Sequence, residues 1–255
     1  MSPSTTSPHD DALAAADGAD AGGLDRRQLL ARLAVGGAIA WGAPLIAKTA
    51  QAASPTSCVN YTLDWSTLGT PGTTFSSATV GGTTITLDAS TYFGGTTGIN
   101  NNRKIIAAPI GGMNVQGIQF EQTPINNGGQ NISFSFSQAV YNVSFTITDI
   151  DTLNNAWSDR ITVVSPTNYT SSFPSGTLLT GTGAAPTTLP PTSAAPGDPF
   201  RNTNNNNNLP NSSNQGNVTL TFPGPLTQFQ LVFWCSTIAG GSNQLIKISP
   251  IAFCG

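Results

Sequence analysis

From about residue 58 onward, apolar and polar side chains take turns over short runs separated by turn residues. Successive side chains of a strand point to opposite faces, so a period of two marks half-buried strands. The runs are CVNYTLDW, TTFSSATV, GGTTITLDA, VQGIQFEQ, NISFSFS, NVSFTITDID, DRITVVS, NVTLTF, TQFQLVFWC and LIKISPIAF. They are rich in Thr, Val, Ile and Phe, whose stiff or bulky side chains suit a pleated surface. No segment of this region keeps a 3.6-residue apolar period long enough for a helix. That many strands in roughly 200 residues predict one all-β domain, an antiparallel β-sandwich or jelly roll.

Two longer segments share one pattern. ISFSFSQAVYNVSFTITD (132–149) and VTLTFPGPLTQFQLVFWC (218–235) superimpose without a gap, matching Ile132 with Val218, Phe134 with Leu220, Phe136 with Phe222, Val140 with Leu226 and Phe145 with Leu231. Each reads as a hairpin with one apolar face. Two similar hairpins in one architecture account for the match more simply than a duplicated half-domain. FQLVFWC and LIKISPIAFC flank the Gly-rich IAGGSN and predict a third hairpin. Between the two long segments, residues 174–217 carry Pro, Thr, Gly and Asn with little periodicity, including an unbroken run from Asn204 to Asn208. A stretch of that length reads as a flexible insertion in the domain, with a recognition loop as the other reading.

Composition narrows the function. Only 8% of the 255 residues are charged and the net charge is −3, so a basic face for nucleic acid is not expected. With 38% hydrophobic residues the chain also lacks the signature of disorder.

The first 52 residues read as an address. Arg26 and Arg27 form a paired-arginine region, Leu33 to Ala47 a moderately apolar run, and Ala50-Gln51-Ala52 a small-residue cleavage site that opens the mature chain at Ala53. This resembles a twin-arginine signal peptide, with Asp25 where Ser or Thr is usual and Leu29 where Phe is common. The resemblance implies export of a folded protein from a bacterium, to the extracellular space or the cell surface. The apolar run is shorter than the ~20 residues that span a bilayer, so no membrane span is expected in the mature chain. His9, the single histidine, leaves with the signal. What remains has no Ser-His-Asp or Cys-His arrangement and no His-ligated zinc.

Three cysteines, Cys58, Cys235 and Cys254, remain in an exported and disulfide-permissive setting. In the third expected hairpin, Cys235 faces about Ile246, and Cys254 lies about 26 Å further along a ladder that rises ~3.3 Å per residue. A disulfide tolerates about 7 Å between Cα atoms. Cys58 with Cys254 is therefore the favoured pair, with Cys235 a buried thiol, although spacing alone leaves connectivity open.

The run ending FxxxV, the VxFxITDID segment, a loop with Trp and Asp, DRITV, NVTLTF and a closing KISPIAF are similar to the extracellular β-sandwich modules of bacterial secreted and surface adhesin-like proteins. The resemblance implies a structural or adhesive surface module that binds an extracellular protein or glycan, without an enzymatic reaction.

One feature stands apart. TDIDTLNNAWSDRI (148–161) places Asp149, Asp151 and Asp159 close together in a chain otherwise poor in charge. If Val143, Phe145 and Ile147 share a core with Ile161 and Val163, the hairpin register must pair residues whose numbers sum to an even value, for example Ile147 with Val163, Asp149 with Ile161 and Asp151 with Asp159. Directly opposed carboxylates about 5 Å apart destabilise a sheet unless something compensates them. A hard cation such as Ca²⁺ is one compensation, held by Asp149, Asp151 and Asp159 with loop carbonyls and the Asn154 or Asn155 amides. Bound calcium predicts a higher unfolding midpoint. The plainer compensation is hydrogen bonding from loop amides and pairing with Arg160 or another base. The least favoured reading is a carboxylate pair for glycoside hydrolysis, since such pairs normally flank a cleft from different strands. Trp157, in the expected loop, is a candidate to stack on a sugar. A calcium-dependent, lectin-like carbohydrate-binding domain is thus the alternative to the adhesive module, and a glycoside-active enzyme a distant third.

Overall fold

A break in the alternation controls the architecture. Along 129–148 the buried apolar residues fall on even numbers as far as Val140 (Ile132, Phe134, Phe136) and on odd numbers from Val143 (Phe145, Ile147), with Ser137 to Ala139 exposed between them. In the computed structural model, which describes residues 58–236 and 243–255, this whole stretch is one strand. The change of phase is the point at which the strand leaves one sheet and enters another. Asn142 helps it turn, with a backbone φ of 49° in the left-handed region that Asn tolerates better than most residues.

The strands in chain order are β1 (Asn60–Leu63), β2 (Ser77–Val80), β3 (Thr83–Asp88), β4 (Tyr92–Phe93), β5 (Lys104–Ile106), β6 (Gly117–Gln122), β7 (Gly129–Thr148) and β8 (Thr152–Leu153). They continue with β9 (Trp157–Ser165), β10 (Thr170–Ser172), β11 (Leu179–Thr180), β12 (Arg201–Asn202), β13 (Val218–Phe222), β14 (Leu226–Cys235), β15 (Gln244–Ile248) and β16 (Ile251–Cys254). Every pairing between strands is antiparallel.

The N-terminal half of β7 lies between β14 and the β3 and β4 strands; the far side of β14 pairs with β9, and β2 edges β3. The C-terminal half of β7 lies between β13 and the β15 and β16 strands, which in turn pair with β6 and β1. β13 and β14 therefore run in succession along β7, from Val218 beside Ile147 to Trp234 beside Gly129. Strands that switch sheets through a bend make the corners of a sandwich.

This corrects two expectations. The two matched segments are not hairpins: each is a bent strand or strand pair, and they are each other's neighbour. The alternation and turn residues were read correctly, but Gly224, at φ 78°, turns β13 into β14 without folding them together. The third expected hairpin is also absent, because β15 pairs with β6 and β7 and leaves β14 to β7 and β9. The disulfide that it was used to argue for is present all the same. Cys58 and Cys254 are bonded, with Cα atoms 5.6 Å apart, because β1 and β16 lie side by side with Asn60 opposite Cys254. Cys235 remains a thiol and is buried.

Beside a small separate cluster of Ala156, Trp157 and Cys235, the main apolar core fills the sandwich. At its centre Phe229 stacks on Phe134 (centroids 4.9 Å apart), Phe145 (4.7 Å) and Phe222 (5.6 Å). These rings come from both halves of the corner, so the change of phase in sequence is what lets four aromatics meet. Such pairs add about 0.5–1.5 kcal/mol beyond the area they bury.

The 174–217 segment, expected as a flexible insertion, is hydrogen-bonded along the outer edge of β9. Ile161 and Phe200 exchange backbone hydrogen bonds of 3.1 and 2.9 Å, Val163 N–H donates to Gly183 O at 2.8 Å, and the Phe200 ring is fully buried. Composition hid this, since its few apolar anchors are too widely spaced to show a period. The twin-arginine and cleavage residues, Arg26, Arg27, Ala52 and Ala53, lie outside the described residues. No described helix is long and apolar enough to cross a membrane.

Candidate functional site

The acidic cluster forms where β7 ends. Asp149 takes a left-handed backbone conformation, with φ of 69°, and stops the strand. The expected register therefore survives only at its tip. Thr152 pairs with Ser158, and Asp159 N–H donates to Asp151 O at 3.0 Å, which puts Asp151 opposite Asp159 as expected. Above that point the strands part. Ile147 lies beside Val218 and Ile248, and Val163 beside Leu231. The presumed common ladder from 143 to 163 does not form, because β13 and β14 occupy the edges it would need.

Each carboxylate is met by hydrogen-bond donors. Asp151 accepts from the Trp157 indole Nε1 (2.7 Å) at one oxygen and from the Leu209 backbone N–H (2.8 Å) at the other. Asp159 accepts from the Asp151 N–H (3.0 Å) at Oδ2 and from Gln244 Nε2 (2.8 Å) at Oδ1. Gln244 is held in turn by Gln122, whose Nε2 donates to Gln244 Oε1 at 2.9 Å. Asp149 Oδ2 accepts from Lys247 Nζ at 2.5 Å, and Lys247 also donates to Asn211 Oδ1 at 2.6 Å. The base that compensates the cluster is thus Lys247 on β15. Arg160 instead turns to a backbone acceptor, donating from Nη1 to Asp159 O at 2.8 Å.

Burial dominates the electrostatics. It pushes the Asp151 carboxyl up to about 6, against the opposing effect of the Trp157 and Leu209 hydrogen bonds. Asp159 is fully buried, and burial followed by the nearby Asp151 charge holds its carboxyl well above the usual range. Burial raises Asp149 too, opposed by the Lys247 charge. Two interacting acids of this kind titrate as a pair, and one of them keeps its proton to higher pH than an exposed aspartate.

This arrangement offers little to a substrate or a metal. A general acid or base must reach the proton it transfers, and Asp159 has no exposed surface. The oxygens a calcium ion would need from Asp151 and Asp159 already accept N–H bonds. Among the described residues no group of three or more His, Cys, Asp or Glu side chains is placed to hold a metal. Trp157 departs from expectation in location: it opens β9, is only 8% exposed, and commits its N–H to Asp151. It borders a cleft of about 160 Å³ with Asp149, Asp151, Asn208, Asn243 and Leu245, and a second of about 240 Å³ with Thr152, Asn154, Asn205 and Arg160.

Sequence reasoning missed the donors. Leu209, Gln244 and Lys247 lie 50 or more residues away from the carboxylates they satisfy, and Leu209 acts through its backbone alone. One signal was available: Lys247 is a lone charge between Ile246 and Ile248 in a strand otherwise apolar at every described position but its first.

The class defined by this geometry is an antiparallel, disulfide-closed β-sandwich. Comparison with protein-family models, with curated proteins and with solved structures finds no match for the chain.

Proposed function

We propose that this chain is an exported bacterial module that acts outside the cell by binding, as a surface-associated structural or adhesive domain, and carries out no reaction. The observation that carries this reading is the commitment of the acidic cluster. Its three carboxylates are compensated by Trp157, Leu209, Gln244, the Asp151 backbone and Lys247, an arrangement suited to holding strands together. The disulfide between β1 and β16 and the paired arginines at Arg26 and Arg27 support an extracellular setting. The partner is a glycan or protein of the cell envelope or its surroundings.

Expression in a bacterial host with fractionation, followed by binding of the secreted chain to isolated envelopes and to a glycan array, tests the proposal. The expected result is chain in the medium or envelope fraction, retention on at least one surface, and no sugar release. Sugar release abolished by Asp149→Asn would overturn the non-enzymatic reading.

A further inference from the structure

We propose that the pocket between Arg160 and Arg201 binds the carboxylate of a compact acidic saccharide of the hexuronate type. This rests on the binding-module reading above and adds where the ligand sits and what chemistry it carries.

Cations are scarce in this chain. Of the nine Lys and Arg residues, four (Arg26, Arg27, Arg32 and Lys48) precede Ala53, which leaves Arg103, Lys104, Arg160, Arg201 and Lys247. Two of those five line one pocket of about 310 Å³, together with Ser193, Ser236 and the Pro196–Pro199 turn. That volume falls at the small end of ligand sites, which run from about 300 to 1,000 Å³. The two guanidinium groups come from separate elements, β9 and β12, brought together by the pinned 174–217 segment.

The frame is rigid where it needs to be. Gly197 sits at φ 67°, and a Cβ there would lie 2.4 Å from Ala184 O, so the turn requires glycine. Asp198 accepts from the Thr182 N–H (3.0 Å) and from Arg201 Nη1 (2.9 Å), and so orients Arg201 as a positioning residue. The Ser193 N–H and Oγ both donate to Asn127 Oδ1 (2.6 and 2.7 Å), which fixes that wall.

Arg160 is the member without a direct carboxylate partner. Among the described residues it makes no ion pair: its Nη1 donates to the Asp159 backbone O, and the Asp159 charge acts on it only from a distance. Burial lowers its pKa to about 10, and the charge of Arg201 acts in the same direction. Two like charges held together this way favour an anion, and a guanidinium fork fits a carboxylate with two parallel N–H bonds. An extended peptide is disfavoured because the neighbouring backbone is already used: Ile161 and Val163 donate to Phe200 and Gly183, leaving no open strand edge for a peptide to join at those positions.

Calorimetric or NMR titration of the purified full chain with galacturonate, galactose and an aspartate-containing tetrapeptide tests the assignment. Saturable galacturonate binding is expected, with no galactose binding over the same range and a loss of roughly tenfold or more in Arg160→Gln and in Arg201→Gln. Arg160→Lys is expected to recover little, since an ammonium lacks the planar fork. Arg201 is 36% exposed, so Arg201→Gln retains the fold and keeps the test valid if Arg160→Gln unfolds. Absence of saturable galacturonate binding, or binding indifferent to Arg201→Gln, overturns the pocket. Tighter binding of the tetrapeptide overturns the saccharide. Envelope retention involves no added uronate, so the broader module reading fails or stands on its own result.

Discussion

The aromatic stack and the acidic cluster are both buried, yet they are stabilised by opposite means. Around Phe229 four rings from two bent strand units pack by shape, and any well-fitting apolar group gains there. Around Asp159 every favourable contact is directional and offsets a desolvation cost. The stack therefore stabilises the fold outright. The cluster holds β7, β9, β15 and the Leu209 segment in one register at little net gain, because wrong partners would leave buried charge unpaired.

The contrast is sharpest in the response to truncation. Phe229→Ala is expected to cost about 3–5 kcal/mol, read as a lower urea midpoint, since it removes the ring on which three others stack. Breaking one partner of the Asp149–Lys247 pair comes next. The two side chains are 12% and 5% exposed, and Lys247→Met is expected to cost about 3 kcal/mol by leaving a buried carboxylate without its base. The double variant Asp149→Asn/Lys247→Met should recover much of that loss. Equal costs in the single and double variants would mean that packing, not charge, matters there.

Solution pH separates the two regions without mutation. Asp149, Asp151 and Asp159 all have carboxyls raised above the unfolded value near 3.8, Asp151 to about 6, so the folded state holds protons that the unfolded state has released. Stability from these groups is complete below the unfolded value and is lost as pH rises through the folded values. Between about pH 7 and pH 5 the urea midpoint should climb, with a slope near 1.4 kcal/mol per pH unit for each proton taken up. Below the unfolded value near 3.8 the trend reverses, as Asp88 and Asp198, whose carboxyls are lowered by bonds to Ser90 and Arg201, become protonated. Asp159→Asn should flatten the climb, and an unchanged slope would remove Asp159 from the account.

The smallest effect expected is that of calcium. Addition of Ca²⁺ or EDTA should leave the melting midpoint where it is, because the carboxylate oxygens already accept N–H bonds. A rise with Ca²⁺ would restore the cation reading of the cluster.

Strand positions were legible because alternation is local: every expected run overlaps an observed strand, two of them the same β7. Pairing was not, and the reason is visible at 137–142 and 223–225. A change of phase next to turn residues fits a hairpin and a sheet-switching bend equally well. Only the neighbours, supplied from as far as Cys254, decide between them. The opposition of Asp151 to Asp159 was readable because eight residues separate them. Their donors were not, apart from the isolated charge of Lys247 within LIKIS. Likewise Arg160 and Arg201 share a pocket only because the Phe200 segment docks on β9, which no periodicity announces.

The position of β7 at the centre of both sheets also sets a timetable during synthesis. Among the described strands, the neighbours of β7 that precede it in the chain are β3 and β4; β13, β14, β15 and β16 are made later, the last ending at Cys254. Until the ribosome has released those strands, a twenty-residue β7 stands with an unpaired edge and bare Phe and Ile side chains, the kind of surface that invites aggregation. The pairing of β7 is thus complete only once β16 has been made, and until then the middle of the growing polypeptide is the part that gains most from protection.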